Sequence, residues 1–84
     1  MRVTVISPER AIYDGEATEV VAPAYDGLVG IKSGHAPFMT LLGEGRLTVR
    51  VDGTEHAFDV RQGFLQVDGD VVRVVAEHVS KHQE

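Results

Sequence analysis

Four histidines, His35, His56, His78 and His82, are the side chains in this 84-residue sequence best suited to chemistry near neutral pH. Imidazole titrates in that range and binds metals through a neutral ring nitrogen. His78 and His82 stand four residues apart, the spacing that brings two ligands to one face of a helix. A helix of so few residues is marginal, however, and no carboxylate falls where a two-histidine metal motif needs one. The pair therefore reads as solvated tail residues. His56 falls on the apolar side of an alternating segment and reads as a partly buried strand residue. His35 lies inside Gly27-Leu28-Val29-Gly30-Ile31-Lys32-Ser33-Gly34-His35-Ala36-Pro37, a stretch whose glycines and proline demand sharp turning before the chain re-enters a strand. A histidine so placed either recognises a partner or fastens its own loop, and the residues alone leave both readings open.

The other chemical patterns are weaker. Gly30-Ile31-Lys32-Ser33 has the wrong spacing for a phosphate-binding loop: Ile31 and Asp26 stand where that motif requires glycine, and Pro37 opposes the helix that must follow. Ser7, Ser33 and Ser80 lie in turn-like or tail segments with no activating pattern around them. Glu16 with Glu19, and Asp68 with Asp70, read as strand-edge and turn residues rather than acid–base pairs. The absence of cysteine removes disulfides, thiolate nucleophiles and zinc–thiolate sites together. Nothing in the residues gives positive support to an enzyme, and no cofactor is implied.

A formal net charge of −5 argues against nucleic acid and anionic membrane surfaces, which select for clustered lysine and arginine. Tryptophan is absent and other aromatic residues are few, so a stacking platform for bases is not expected. No apolar run approaches the roughly 20 residues of a membrane span, and Met1-Arg2-Val3-Thr4-Val5 enters alternation directly without a signal-peptide pattern. A soluble, cytosol-facing domain whose partners are proteins is the expectation. At this length its stability should be about 4 to 13 kcal/mol.

The elements that must position these residues follow a period of two. In residues 46–51, Leu47, Val49 and Val51 alternate with Arg46, Thr48 and Arg50, the pattern of a strand with one buried and one wet face. Asp52-Gly53 then predicts a tight hairpin turn, and residues 55–61 return with His56, Phe58 and Val60 toward the core. Residues 63–67 and 71–76 form a second predicted hairpin about Asp68-Gly69-Asp70. Upstream, strands are expected at 2–6, 12–13, 18–22 and 38–42, separated by Ser7-Pro8-Glu9-Arg10, Asp14-Gly15, Pro23 and the glycine-rich stretch. So many short strands predict an all-β chain: a small β-sandwich or flattened barrel of about eight to ten mostly antiparallel strands. One domain is expected over 1–77, followed by a short tail at 78–84.

Several spaced motifs carry a family likeness: Val5-Ile6-Ser7-Pro8-Glu9-Arg10, Tyr13-Asp14-Gly15-Glu16, Val21-Ala22-Pro23, Gly30, Gly34-His35-Ala36-Pro37 and Gly63-Phe64-Leu65-Gln66-Val67. In this order they resemble the epsilon subunit of the F-type ATP synthase, from about residue 2 to 77. The resemblance implies a β-sandwich of about ten strands at the foot of a rotating central stalk, touching the gamma subunit and the ring of c subunits. It implies a non-catalytic rotor component that helps fasten gamma to the c-ring, on the cytoplasmic face of a bacterial plasma membrane and peripheral to it. By position, Ser7, His35 and Thr40 resemble residues facing gamma, and Asp26, Gly27, Leu28, Val29 and Gly30 resemble the segment approaching the c-ring. Leu28 stands where many relatives have glutamate, and Lys32-Ser33 replaces the usual bulky residue and proline. Many relatives continue into a C-terminal helical hairpin; residues 78–84 are too few for such an arm, at most about 10 Å of helix, so no arm-mediated inhibition or contact to alpha and beta subunits is expected. The competing reading from another class is a small β-sandwich metal-binding protein or enzyme using His35, His56 and Glu77.

Overall fold

Alternation of valine, isoleucine and leucine with polar residues dictates strands, and the computed structural model, which describes residues 1–82, contains no other regular element among them. The strands are β1 (Arg2–Ile6), β2 (Ala11–Glu16), β3 (Glu19–Ala24), β4 (Gly27–Lys32), β5 (Phe38–Leu41), β6 (Gly45–Val51), β7 (Thr54–Asp68) and β8 (Val71–Lys81). Turn chemistry sets their order locally. Asp52 and Gly53 both take positive φ, 45° and 81°, so β6 and β7 are joined by a type I′ hairpin turn whose twist matches the strands. Between β7 and β8 only the first central residue, Gly69, has positive φ (60°), the mark of a type II′ turn. Ser7 closes its predicted turn twice, its backbone N–H and its hydroxyl both donating to the Arg10 carbonyl at 2.9 and 3.2 Å.

The long strand β7 organises everything else. On one side it pairs antiparallel with β8 from Phe58↔Lys81 to Asp68↔Val71. On the other side it changes partner: Thr54 to Val60 pair with β6, and Phe64 to Val67 pair with β5. The change falls at Gln62-Gly63, where Gln62 has φ of 61°. A Cβ on Gly63 would lie 1.9 Å from the Val75 carbonyl oxygen and 2.6 Å from the Ala76 Cα, so the two backbones meet where only glycine fits. The β7–β8 ribbon thereby belongs to two layers. One layer runs β2-β1-β8-β7-β5 and the other β8-β7-β6-β3-β4, with β1 parallel to β8 and all other pairs antiparallel.

The continuous sheet curls into a sandwich. Its extents, 28 × 25 × 23 Å, include no thin dimension, whereas a flat sheet is a single layer of Cα atoms. Val3, Val5, Leu65 and Val74 from the first layer form one buried cluster with Val20, Ile31, Leu47 and Val49 from the second. Exposed ion pairs such as Arg2–Asp14 at 2.7 Å and Arg50–Glu19 at 2.6 Å decorate the outside, and each contributes at most about 1 kcal/mol. Burial of the aliphatic cluster, at about 1.5 to 3 kcal/mol per large side chain, decides the fold.

Six expectations need correction. Segments 55–61 and 63–67 are one bent strand, which gives eight strands. Asp14-Gly15 is not a turn but lies inside β2, opposite Thr4 and Val3. Pro23 does not close β3; it sits past the last β3–β6 pair, at Val21, where no ladder bond to β6 is required of it. The glycine-rich stretch is strand as far as Lys32, because Val29 and Ile31 pair with Ala22 and Val20 and turn inward with them. Beyond Glu77, β8 continues to Lys81, so residues 78–81 of the expected tail are sheet; residues 83 and 84 lie outside the described residues. His82 is also anchored rather than solvated. Its N–H donates to the Ala57 carbonyl at 2.8 Å, its Nδ1 lies 3.0 Å from both Asp59 carboxylate oxygens, and Arg46 Nη2 donates to its Nε2 at 2.6 Å.

The crossing makes a sharp prediction. Gly63→Ala should lower stability by about 3 kcal/mol or more in urea unfolding, because backbone atoms rather than a flexible side chain block the new methyl. Gly30→Ala, with open space around the position, should stay within about 0.5 kcal/mol of the parent. Equal effects of the two would show that the approach at Gly63 is not what bends the ribbon. Val49→Asp and Phe58→Asp, each burying an unpaired charge, should unfold the chain, as circular dichroism would report.

Candidate functional site

Strands of a two-layer protein need one apolar face, yet several strands of the first layer carry apolar residues on both. In β5 the inward positions are Phe38 and Thr40, while Met39 and Leu41 point out and are 62% and 64% exposed. In β7, β8 and β1 the inward residues are Leu65, Val74 and Val5, with Phe64, Val75 and Ile6 on the outer face. Registry places these last in one line: Leu41 pairs with Phe64, Phe64 with Val75, and Val75 with Ile6. At about 4.8 Å per strand the row crosses roughly 14 Å of the sheet. Such a contiguous apolar row on an outer face is the signature of a surface that another molecule covers.

A second exposed apolar position lies on the other layer. The two-residue connection Tyr25-Asp26 joins β3 to β4, Tyr25 is 70% exposed, and Leu28, paired with Pro23, is 74% exposed on the outer face. Because β4 and β5 each end a layer, the seam between them is open. Here lies a cleft of about 590 Å³, with Tyr25, Asp26 and Val29 on one wall and Phe38, Thr40 and Leu41 on the other. The Tyr25 N–H donates to the Leu41 carbonyl at 3.0 Å and ties the two walls together at one end.

The residues singled out from sequence distribute unevenly over these surfaces. Asp26, Val29 and Thr40 come together in the β4–β5 seam. Leu28 and Gly30 face outward on β4, and Gly27, with φ of 132°, opens that strand. Ser7 is buried, with its hydroxyl used in the turn; its chain neighbour Ile6 ends the apolar row, as Leu41, next to Thr40, begins it. His35 is half-buried in the β4–β5 connection, its N–H donating to the Lys32 carbonyl at 3.1 Å, its Nδ1 2.8 Å from the Ala36 carbonyl and its ring 5.0 Å from that of Phe38. The imidazole thus fastens its own loop against the start of β5.

The three residues named for a metal-binding or enzyme reading are held in different places. His35 packs on Phe38, His56 packs on Tyr13, and Glu77 lines a separate cleft with Ser7 and Asp59, so the three do not converge. Among the described residues no group of three or more histidine, aspartate or glutamate side chains is placed to hold a metal ion. Sequence reasoning passed over Met39, Phe64 and Val75 as interaction residues. Their signal was present in Phe38-Met39, Phe64-Leu65 and Val74-Val75, adjacent apolar pairs that supply both faces of a strand at once.

Comparison with known proteins fits this architecture. A profile of the family described as ATP synthase, Delta/Epsilon chain, beta-sandwich domain matches residues 1–82. The ATP synthase epsilon chain of Caulobacter vibrioides is 38% identical over 78 residues, covering 93% of this chain and 91% of that protein. That of Solibacter usitatus is 40% identical over 84 residues, covering all of this chain but only 63% of that one. Among solved structures, a chain of the Euglena gracilis mitochondrial ATP synthase OSCP/F1/c-ring assembly superposes with a TM-score of 0.88 at 21% identity, covering 94% of this chain and 51% of that one. A chain of the Tetrahymena thermophila mitochondrial ATP synthase central stalk and c-ring gives 0.78 at 18% identity, covering 95% and 65%. With nearly every residue inside the profile and the sandwich reproduced in those neighbours, the chain belongs to the ATP synthase delta/epsilon β-sandwich family.

Proposed function

We propose that this chain is a non-catalytic central-stalk subunit of an F-type ATP synthase, joining the gamma subunit to the c-ring so that rotation of the ring reaches the catalytic subunits. The observation that carries this reading is the apolar row Leu41, Phe64, Val75 and Ile6 across the outer face of the first layer. A coupling subunit must grip two partners at once, and this chain offers two distinct apolar surfaces on different layers. The row, flanked by Ser7 and Thr40 and continued by Met39, is the surface assigned to gamma, with His35 holding the adjoining loop in shape. The β3–β4 corner, Asp26 to Gly30 with Leu28 at its crest, is the surface assigned to the c-ring. At the ring Leu28 supplies dispersion and burial, a contact that salt does not screen. The protein then works on the cytoplasmic face of a bacterial plasma membrane, held there through its partners.

Binding of the purified chain to gamma and to c-ring from the same source, measured separately at low and high salt, tests this reading. Leu41→Asp should weaken gamma binding at least tenfold, about 1.4 kcal/mol, and leave c-ring binding unchanged. Leu28→Asp should do the reverse. Both side chains already stand mostly in water, so both variants should unfold within about 0.5 kcal/mol of the parent. A well-folded chain that binds neither partner would remove the stalk function. Variants that weaken both partners alike would remove the division between the two surfaces.

A further inference from the structure

A single charge borders the apolar row in the middle of its layer. The outward positions along β8 are Val71, Arg73 and Val75, since Val72 and Val74 between them are buried. Val75 belongs to the row and Val71 is exposed, so Arg73 stands between two apolar neighbours, each about 6.6 Å away along the strand. Across the sheet the register sets Gln66 on one side of Arg73 and Thr4 on the other, with the exposed Met39 opposite Gln66. None of these neighbours is an anion. Arg73 Nη1 reaches Gln66 Oε1 only at 3.4 Å, longer than an ordinary N–H···O bond, and the Thr4 hydroxyl has no hydrogen-bond partner. The carboxylates one step further in register, Asp14 beside Thr4 and Asp68 beside Val71, do not serve it. Asp14 is held by Arg2 at 2.7 Å, and Arg73 makes no ion pair among the described residues.

We propose that Arg73 pairs with a carboxylate of the gamma subunit and that this pair sets the alignment of an otherwise apolar interface; the inference rests on the stalk reading. The reason is desolvation. Along this part of its length β8 lies between β7 and β1, in the interior of the layer, so Arg73 has no free edge to escape to. A surface that covers Val75 and Met39 therefore takes water from the guanidinium as well. Stripping a guanidinium of water without giving it an anion costs more than burial of one or two aliphatic side chains returns, so the covering surface must bring the anion. A carboxylate suits best, because two of its oxygens meet the planar fork of guanidinium donors in parallel. Apolar contact is non-directional and by itself leaves gamma free to slide along the row. One charge pair removes that freedom, since a displaced partner leaves two charges covered and unmatched. The partner is gamma rather than the c-ring because Arg73 adjoins the row on the first layer, whereas Leu28 lies on the second.

Gamma binding by the parent chain and by Arg73→Met tests the proposal, because a purely apolar patch and a charge-matched one predict opposite signs. On a purely apolar interface, exchanging the charge for a thioether of similar reach strengthens binding. Facing a carboxylate, the same exchange weakens binding at least tenfold, because the partner's charge is left covered and unpaired. Weakening is the expected result, with c-ring binding unchanged. Arg73 is exposed, so the variant should keep the parent's midpoint in urea unfolding. In a second measurement, Arg73→Lys bound to gamma is treated with a water-soluble carbodiimide. The reagent takes up the water released as an amine and a touching carboxylate condense to an amide, and mass spectrometry should find residue 73 joined to an aspartate or glutamate of gamma. Binding of Arg73→Met as tight as the parent's or tighter, or the absence of that cross-link, would overturn the proposal and leave the stalk reading standing. A well-folded parent chain that binds no gamma would remove the stalk reading, and this inference with it.

Discussion

The crossing of Gly63 against the Val75 carbonyl, with no space for a side chain between them, lets one ribbon of two strands serve two layers. If β7 stayed straight, its C-terminal half would carry β5 in the plane of β6, and the aliphatic faces of the two halves would never meet. By bending at Gln62-Gly63 it exchanges β6 for β5 along one side while keeping β8 along the other. The core then closes without a long crossover loop. The bend also leaves the sandwich open along the outer edge of β2 and along the β4–β5 seam, the latter tied at one end by the Tyr25–Leu41 hydrogen bond and the Ala24–Leu42 bridge.

These open borders and the doubly apolar first layer make the molecule a connector by construction. A domain of this size buries only roughly 60% of its unfolded surface or slightly more, so the apolar residues on its outer face are a cost unless something covers them. Leu41, Phe64, Val75 and Ile6 come from β5, β7, β8 and β1, and only the sheet's registry makes all four neighbours. The charged residues, by contrast, are dispersed over the surface, and the exposed ion pairs among them stabilise little.

Much of the fold was legible because its determinants are local. Asp52-Gly53 forces a primed turn, and Leu47, Val49 and Val51 fix which side of β6 is buried. What misled was equally local. Glycine at 27 and 30 looks like loop, but the inward pair Val29 and Ile31 overrides it, and Gly15 sits in a strand because β1 needs a partner. The site was legible only in part. Gly34-His35-Ala36-Pro37 marks a loop that does hold itself together through the histidine. Ser7, by contrast, spends its hydroxyl on its own turn, and the apolar row depends on pairings between distant segments that no window of sequence contains.

The parallel pairing of β1 with β8 joins the first strand of the chain to the last. The amino-terminal ammonium group donates to the Ala17 carbonyl at 3.1 Å, and the Arg2 N–H donates to the Asp70 carbonyl at 2.9 Å. Layer one therefore has no complete nucleus until residues 71–75 have been synthesised, and the β6–β7 hairpin is the largest local unit that can form earlier. Non-local strand pairing of this kind is slow to fold, and until it is complete the apolar row has no continuous surface to present. Formation of the apolar row thus waits on the pairing of β1 with residues 71–75 and on no hairpin that closes locally.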